Sequence, residues 1–216
     1  MFVYRKLPLA ARQFNLPPML DVLREFVSGY VVLTPEDFSL LAGKITVRTF
    51  EKREVLLRPG EVEQYMNFII HGLARIYFYK GRSEVILNLA REKELISSSS
   101  SFFSGAPSNY YIETLEPTTL LSITRDDLES VYRQNSRIER LGREMITHFV
   151  LAKEEWEHAC MRLDTRERFL QFVERNPELV QRVPQKYLAS YLNMKPETFS
   201  RLKHLVKKRP VAVANR

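Results

Sequence analysis

The stretch from Val183 to Lys208 reads VPQKYLASYLNMKPETFSRLKHLVKK and predicts two short helices joined by a tight turn. Ala189 has almost no side chain, so the two helices can cross closely at this position. Asn193 tolerates the positive φ that a three-residue turn requires. The apolar residues available to the packed faces are Leu188, Leu192, Phe199, Leu202 and Val206.

The second of these helices carries polar residues on its outward face. Pro196 suits the first helical position and Glu197 suits the first turn. Because Glu197 and Arg201 are four residues apart, their side chains share one face. They can form an ion pair on a solvated surface, or they can read bases, with Arg donating to guanine and Glu accepting from cytosine. The residues suited to phosphate oxygens are Gln185, Lys186, Lys195, Thr198, Ser200 and Lys203.

The distribution of charge along the chain favours base contacts by Glu197 and Arg201 over a surface ion pair. Residues 162–216 hold 13 Lys plus Arg against 5 Asp plus Glu, a net charge of +8, whereas residues 1–161 hold 20 against 21. The whole excess of +7 therefore belongs to the C-terminal quarter of the chain. A basic region with a helix-turn-helix pattern is typical of a protein that binds double-stranded DNA, because neutralised phosphates release their counterions.

Composition excludes several classes of protein. The 216 residues are 44% hydrophobic and 27% charged, as in soluble globular proteins. No apolar run approaches the roughly 18 residues of a membrane span, so we expect a cytoplasmic protein without a membrane partner. Cys160 is the only cysteine, which rules out an intrachain disulfide and a cysteine-ligated cluster. The four histidines lack a metal-ligand spacing, and we expect no metal, no cofactor and no catalytic site.

Residues 20–135 are predicted to form a β domain. After two helices, the second ending near Gly43, seven short apolar segments follow, separated by turn residues such as Lys80-Gly81. Because no crossover helices intervene, these segments predict an antiparallel, jelly-roll-like β-roll and not a parallel sheet. Residues 1–19, which three prolines interrupt, are interpreted as an N-terminal extension.

A long dimerisation helix is predicted over residues 136–162, followed by a helical domain over residues 163–216. At 1.5 Å per residue the long helix spans about 39 Å, more than a small roll can cover. Its apolar stripe can pack on the roll, but the surplus length favours a parallel helix pair in a homodimer. A dimer also suits two recognition helices that reach successive major-groove faces. The stripe predicted to form the interface comprises Ile138, Leu141, Met145, Phe149, Ala152 and Trp156.

An antiparallel roll, a long helix and a C-terminal helix-turn-helix, in this order, resemble the Crp/Fnr family of bacterial transcription regulators. The most specific parts are residues 185–203 and the segment FIIHGLARIY at 68–77, which is similar to the strand-glycine-strand of a cyclic-nucleotide-binding roll. The resemblance implies an α+β fold, a homodimer on double-stranded DNA, and base contacts by Glu197 and Arg201. It leaves RNA polymerase and an unidentified small-molecule effector open as partners.

The DNA-binding half departs from the family pattern at two places. Pro196 stands where the family often has an arginine, which affects recognition at one base pair of the usual half-site. Many relatives have a β-hairpin wing after the recognition helix, whereas residues 209–216 are a short tail. We therefore expect the wing to be reduced or absent.

The roll departs further from relatives that bind cyclic nucleotides. Those relatives carry a Gly-Glu pair that holds the ribose and an Arg that holds the cyclic phosphate, and Ser98, Ser99 and Ser108 stand at these places. Because neutral hydroxyls cannot neutralise a phosphate, we expect a degenerate effector pocket and an effector other than cyclic AMP. The serines can also be a small-residue loop and helix cap. The arginines that stay open as replacement cations are Arg75, Arg82 and Arg91.

Alternatives to an effector-controlled regulator stay open. The missing anchors are compatible with a ligand-independent DNA-binding regulator. A β-roll adaptor for protein contacts would leave the C-terminal charge unexplained. A metal-dependent β-roll enzyme would need a cluster of His and acidic ligands, and His71 is the only histidine in the strand region. We therefore expect a regulator and not an enzyme.

Overall fold

The computed structural model describes residues 16–207, and of residues 205–207 it describes the backbone alone. Within this range the chain is α+β, and no helix there combines the length and the hydropathy that crossing a lipid bilayer requires. The helices are α1 (Leu16–Ser28), α2 (Pro35–Ala42), α3 (Ser99–Ser104), α4 (Arg125–Gln134), α5 (Ser136–Arg162), α6 (Thr165–Arg175), α7 (Pro177–Arg182), α8 (Gln185–Tyr191) and α9 (Pro196–Lys207). The strands are β1 (Thr46–Phe50), β2 (Val55–Leu57), β3 (Tyr65–His71), β4 (Ala74–Lys80), β5 (Ser83–Ala90), β6 (Leu95–Ile96), β7 (Tyr111–Thr114) and β8 (Thr118–Thr124).

The strands form two antiparallel four-stranded sheets. The first sheet has the order β1-β8-β3-β6 and the second has the order β2-β7-β4-β5. This architecture confirms the predicted antiparallel roll followed by a helical region. Strand β5 lies at an edge of the second sheet, so one row of its backbone groups can meet another element.

Three apolar cores lie on the faces of these two sheets. Between the sheets, inward residues such as Ile69 are fully buried. The other face of the first sheet, with Phe68 and Leu121, packs against α1, α2, α4 and the start of α5. The other face of the second sheet, with Tyr77 and Ile86, shares a core with α6–α9. Because successive residues of a strand point to opposite faces, each sheet serves two cores.

Local sequence signals explain where several helices begin. Thr34 forms a capping box with Asp37 at the start of α2, and Asp164 forms one with Glu167 at the start of α6. The Asn135 side chain accepts hydrogen bonds from two backbone N–H groups in the first turn of α5. Helix α5 spans residues 136–162, the same range that the sequence predicts.

The N-terminal boundary and two short elements differ from the prediction. Helix α1 begins at Leu16, so residues 16–19 belong to a helix and not to an extension. Pro17 and Pro18 fit its first turn because the N–H groups there have no intrahelical partner. Strand β6 and helix α7 are too short to show a periodic pattern in the sequence. Residues 1–15, Lys208 and the tail on which the wing prediction rests lie outside the described residues.

Candidate nucleic-acid interface

Helices α8 and α9 pack against each other around Ala189, as predicted. Ala189 is fully buried, and its carbonyl accepts a hydrogen bond from the Met194 N–H at 2.9 Å. Asn193 has a φ of +51°, the left-handed conformation predicted for the turn. Leu188 and Leu192 are fully buried between the helices and the rest of the domain. The two helices therefore form one packed unit.

Helix α9 presents polar side chains to solvent on the face away from its core. On the core side, the Phe199 ring meets the Phe169 ring of α6 edge-on, with 5.2 Å between their centroids. Of the residues predicted to contact bases or phosphates, the half-buried ones are Thr198, Ser200 and Lys203. The exposed ones are Gln185, Lys186, Lys195, Glu197 and Arg201.

Glu197 and Arg201 do not form the intrahelical ion pair that their spacing allows. Pairs at the same spacing do form in other helices, for example Arg125 with Glu129 at 3.3 Å. Among the described residues, no carboxylate oxygen lies within 4.0 Å of the Arg201 guanidinium nitrogens. Within residues 16–207, both groups are therefore available to an external partner.

Helix α8 occupies the open edge of strand β5. The Ser190 hydroxyl donates to the Glu84 carbonyl at 3.1 Å and accepts from the Ile86 N–H at 3.0 Å. Ile86 and Leu89 of the same strand pack into the core of the C-terminal helices. These bonds and this packing give α8 a fixed place on the roll.

Arg75 of β4, the strand next to β5, also joins the roll to α8. Its side chain is 2% exposed and donates to Glu84 at 2.9 and 3.1 Å and to Glu113 at 3.2 Å. The guanidinium lies 3.9 Å from the ring centroid of Tyr77 and 4.1 Å from that of Tyr187 on α8. Burial lowers the pKa of Arg75, but the bond to Glu84 and the charge of Glu113 outweigh it and raise the pKa. Arg75 therefore stays charged in the interface.

A second ion-pair cluster links α7 to the loops of the roll. Arg182 donates to Glu92 at 2.7 and 2.9 Å, to Glu116 at 2.6 and 3.2 Å, and to the Gly72 carbonyl at 3.3 Å. Hydrogen bonds to the two carboxylates raise the pKa of Arg182. Burial raises the pKa of Glu92, but the bond from Arg182 and backbone N–H groups outweigh it and lower the pKa to about 2.

Arg182→Gln is expected to flatten the acid side of the stability profile. In the wild type the folded-state pKa of Glu92 lies below its ordinary value. Glu92 therefore contributes stability that is fully present above the unfolded pKa and is lost as the pH falls toward about 2. Without the guanidinium this contribution shrinks, so the loss of stability between about pH 5 and pH 2 becomes shallower. Urea unfolding at several pH values across this range measures the free energy of unfolding, with Lys52→Gln as the control. If the free energy of unfolding of Arg182→Gln fell as steeply with acid as that of the wild type, the role of Arg182 would be contradicted.

Three residues that join the roll to the C-terminal helices are not among the residues predicted to form a site. Arg75 has a signal in the sequence, since the two-residue period of β4 places Arg75 and Tyr77 on one face. Arg182 and Ser190 have none, because their partners lie between 66 and 110 positions away along the chain.

The residues of the predicted dimer stripe differ in burial along the length of α5. Ile138 and Leu141 are buried in the core of the roll, and Met145 packs against the same core. Trp156 stacks on a tyrosine ring of α8 with 4.9 Å between centroids. The roll buries Ile138 and Leu141, which corrects the prediction for these two residues. Met145 and Trp156 contact their own chain but stay half-buried, so their place in a dimer interface stays a prediction. The exposed apolar residues along the middle of α5 are Phe149 and Ala152 of the predicted stripe and, beside them, Ile146, Val150 and Leu151.

The serines predicted to mark a degenerate pocket lie at α3 and just before β7. Ser98 and Ser108 are each 3% exposed, and the Ser108 hydroxyl donates to the Ser98 hydroxyl at 3.0 Å. Ser99 is half-buried. The Glu63 carboxylate accepts from the Ser98 N–H at 3.3 Å, and burial raises its pKa. Because Ser98 and Ser108 touch each other, no group fits between these two hydroxyls.

The three arginines that the sequence leaves open as replacement cations are engaged or exposed elsewhere. Arg75 is bound in the interface with α8, as described above. Arg91 pairs with Glu94 and with Glu178 of α7. Arg82 is exposed at the tip of the β4–β5 hairpin.

The roll followed by a helical region defines the fold of catabolite-activator-like regulators. Residues 47–135 match the model of the family described as Cyclic nucleotide-binding domain. The comparison with curated proteins finds no match.

Solved structures resemble the chain over most of its length. The c-di-GMP-responsive global regulator CLP of Xanthomonas campestris is 16% identical, with a TM-score of 0.62 over 81% of this chain and 92% of that one. FixK2 of Bradyrhizobium japonicum is 19% identical, with a TM-score of 0.64 over 76% and 84%. The catabolite activator protein of Thermus thermophilus is 19% identical, with a TM-score of 0.52 over 82% and 84%. At these identities the likeness shows the fold.

The family match raises the question of whether this roll fits a cyclic nucleotide. The cyclic phosphate carries a negative charge, and its removal from water without a cationic partner is costly. At the aligned places Ser98 and Ser108 bond to each other, and the neighbouring Glu63 carboxyl cannot supply a positive charge. Ser98, Ser108 and Glu63 therefore offer a cyclic phosphate no cationic partner.

Proposed function

We propose that this chain is a sequence-specific DNA-binding transcription regulator of the Crp/Fnr type, a homodimer and not an enzyme, with α9 as its recognition helix. The observation that carries the proposal is the exposed face of α9, where Glu197 and Arg201 form no ion pair with any residue that the structure describes. Arg201 can donate two hydrogen bonds to a guanine edge, and Glu197 can accept one from cytosine. The net charge of +8 in residues 162–216 attracts the phosphates.

Homodimerisation is proposed through the middle of α5. Ile146, Phe149 and Val150 follow the i, i+3, i+4 pattern of one helix face and are 43%, 51% and 45% exposed. The helix has 27 residues, and the chain's own domains cover its first part and Trp156 near its end. Pairing with a second copy would bury this middle face on both helices. Pairing would also position the two α9 helices to enter the major groove one helical turn apart.

A ligand-independent regulator is the second candidate, and the hydrogen bond between Ser98 and Ser108 favours it. In an effector-controlled protein, the ligand must bind the two conformations with different affinity. Here the places aligned with the nucleotide anchors are already satisfied within the chain. We propose that cyclic AMP is not the effector in either case.

Selection of bound sequences from a random duplex library tests the proposed function. The library is exposed to the full chain with and without a small-molecule fraction of cell extract. A regulator is expected to enrich a palindrome with half-sites about one helical turn apart. Enrichment in the absence of extract supports the ligand-independent form. Enrichment that occurs only when extract is present supports a diffusible effector. Absence of enrichment under both conditions would overturn the proposal.

Arg201→Ala and Lys203→Ala are expected to weaken DNA binding in different ways. Loss of the Arg201 guanidinium should cost about 1 to 3 kcal/mol on the selected sequence and relax the preference at one base pair of each half-site. Loss of the Lys203 ammonium should weaken all sequences alike, because phosphates carry no sequence information. Competition binding with single-base variants of the operator measures both effects. A uniform loss for Arg201→Ala would contradict its role as a base contact.

A further inference from the structure

The β4–β5 hairpin ends in a tight turn that carries two exposed cations. Lys80 pairs with Ser83 across the hairpin, and Gly81 and Arg82 form the two-residue turn. Gly81 has a φ of +61°, which suits the first central position of a type II′ turn. Lys80 and Arg82 are exposed, and within residues 16–207 neither lies within 4.0 Å of a carboxylate oxygen. The tip therefore carries two positive charges that the fold itself does not use.

The hairpin is fixed to the helix pair that is proposed to read DNA. The two backbone groups that bond to Ser190 of α8 belong to Glu84 and Ile86, one and three residues beyond Ser83. Arg75, further along β4, is held against the α8 residue Tyr187. The hairpin and α8 therefore keep a constant spacing, so a contact made by the tip is made together with those of α8.

The N-terminus of α8 lies beside the hairpin. Lys186 Nζ is 3.9 Å from Glu84 Oε2, and Glu84 lies two positions after Arg82. Gln185 and Lys186 at this end of α8 are proposed phosphate contacts. Arg75 pairs with Glu84 and Glu113, and Lys186 lies beside Glu84, so these four groups carry no net charge and do not cancel the charge of the tip. Because phosphates recur about every 3.4 Å of helix axis on each strand, a backbone bound at Lys186 presents further phosphates on both sides of this residue.

We propose that Lys80 and Arg82 at the tip of the β4–β5 hairpin bind phosphates of the DNA backbone. This inference rests on the proposed DNA binding and extends the proposed DNA-contacting surface from the helix pair onto the roll. The contact is electrostatic and carries no base preference, since backbone contacts position a protein without reading sequence. The tip thereby adds the kind of backbone contact that a wing after the recognition helix would make.

The salt dependence of binding tests the contact on the duplex selected above. Lys80→Gln/Arg82→Gln is compared with the full-length parent and with Lys52→Gln/Arg53→Gln. The control removes the same charge from the turn before β2, which is at the opposite edge of the second sheet. Because each protomer of the hairpin variant would neutralise two phosphates fewer, the slope of log K against log salt should become shallower by about 4 for a dimer. Affinity at 0.1 M salt should fall about tenfold, with the base preference unchanged, and the control should retain the slope of the parent.

Phosphate ethylation interference gives a second readout. The parent should show interfering phosphates that disappear for Lys80→Gln/Arg82→Gln and persist for the control. If the hairpin variant keeps the slope and interference pattern of the parent, or if the control changes both equally, the contact does not exist while DNA binding stands. If the parent selects no duplex, the proposed function and this inference fall together.

Discussion

Arg75→Met is expected to destabilise the protein by about 3 to 5 kcal/mol at pH 7, the cost of removing one partner from a buried ion pair. The Arg75 side chain is almost fully buried, and its loss removes the buried cation that binds both Glu84 and Glu113. The exposed Lys186 ammonium stays 3.9 Å from Glu84. Methionine fills a similar volume, so the loss reports charge more than packing. Urea denaturation with an unchanged m value measures the difference.

The loss of unfolding free energy caused by Arg75→Met should depend on pH. Arg75 lowers the pKa of Glu84, so the pair contributes stability that is present above the unfolded pKa and is lost as the pH falls through the folded value. The difference in unfolding free energy between the parent and Arg75→Met should therefore narrow below about pH 4.5, where the Glu84 carboxylate takes up a proton. A gap that stays constant from pH 7 to pH 3 would contradict the charge argument.

A matched background separates charge from packing. In a Glu84→Gln/Glu113→Gln protein, Arg75→Met removes a cation that no longer balances two carboxylates. It should then cost clearly less than in the parent, with a coupling energy of about 1 kcal/mol or more. Equal costs in the two backgrounds would assign the effect to packing against Tyr77 and Tyr187.

Phe149→Asp/Val150→Asp is expected to convert the protein from a dimer to a monomer. Both side chains are about half exposed on the middle of α5, and a paired interface would bury two uncompensated carboxylates in each subunit. Binding to a palindrome should then weaken by roughly 10² to 10⁴, because the second half-site is no longer bound intramolecularly. Fold stability should change little, since neither side chain is buried in the protomer.

Sedimentation equilibrium and operator titration test this dimer. Leu170→Asp, at an exposed apolar position on α6, is the control for the mass measurement, because it adds a carboxylate away from α5. A variant that stays dimeric would move the interface away from the middle of α5. A parent that is monomeric at all concentrations would exclude the proposed homodimer.

The roll and the C-terminal helices share one apolar core, which affects how the proposed regulator works. Leu73 and Leu115 of the roll pack in the same cluster as Phe172 and Leu188 of the helical domain. Two ion-pair clusters, around Arg75 and Arg182, lie at the same boundary. The position of α9 relative to the roll is therefore maintained by contacts within one chain. This arrangement suits DNA binding that needs no cyclic nucleotide.

The sequence by itself determines the elements whose signals are local. Asn193 sits in the left-handed turn, and Asp164 caps α6, because each acts through backbone groups within a few residues. The span of α5 follows from its apolar period and from the Asn135 cap. The exposed pair Glu197 and Arg201 also follows from helical spacing, since residues four apart share a face.

Tertiary structure alone decides which surface each of these elements meets. Ile138 and Leu141 belong to the same period as Phe149, yet the roll covers the first two and leaves the third exposed. The bond between Ser98 and Ser108 joins residues ten apart across a helix and a loop, and no spacing rule foresees it. The Ser190 and Arg182 contacts bridge 66 or more positions. Such contacts depend on how the chain closes on itself, whereas a periodic pattern records only that a face is apolar.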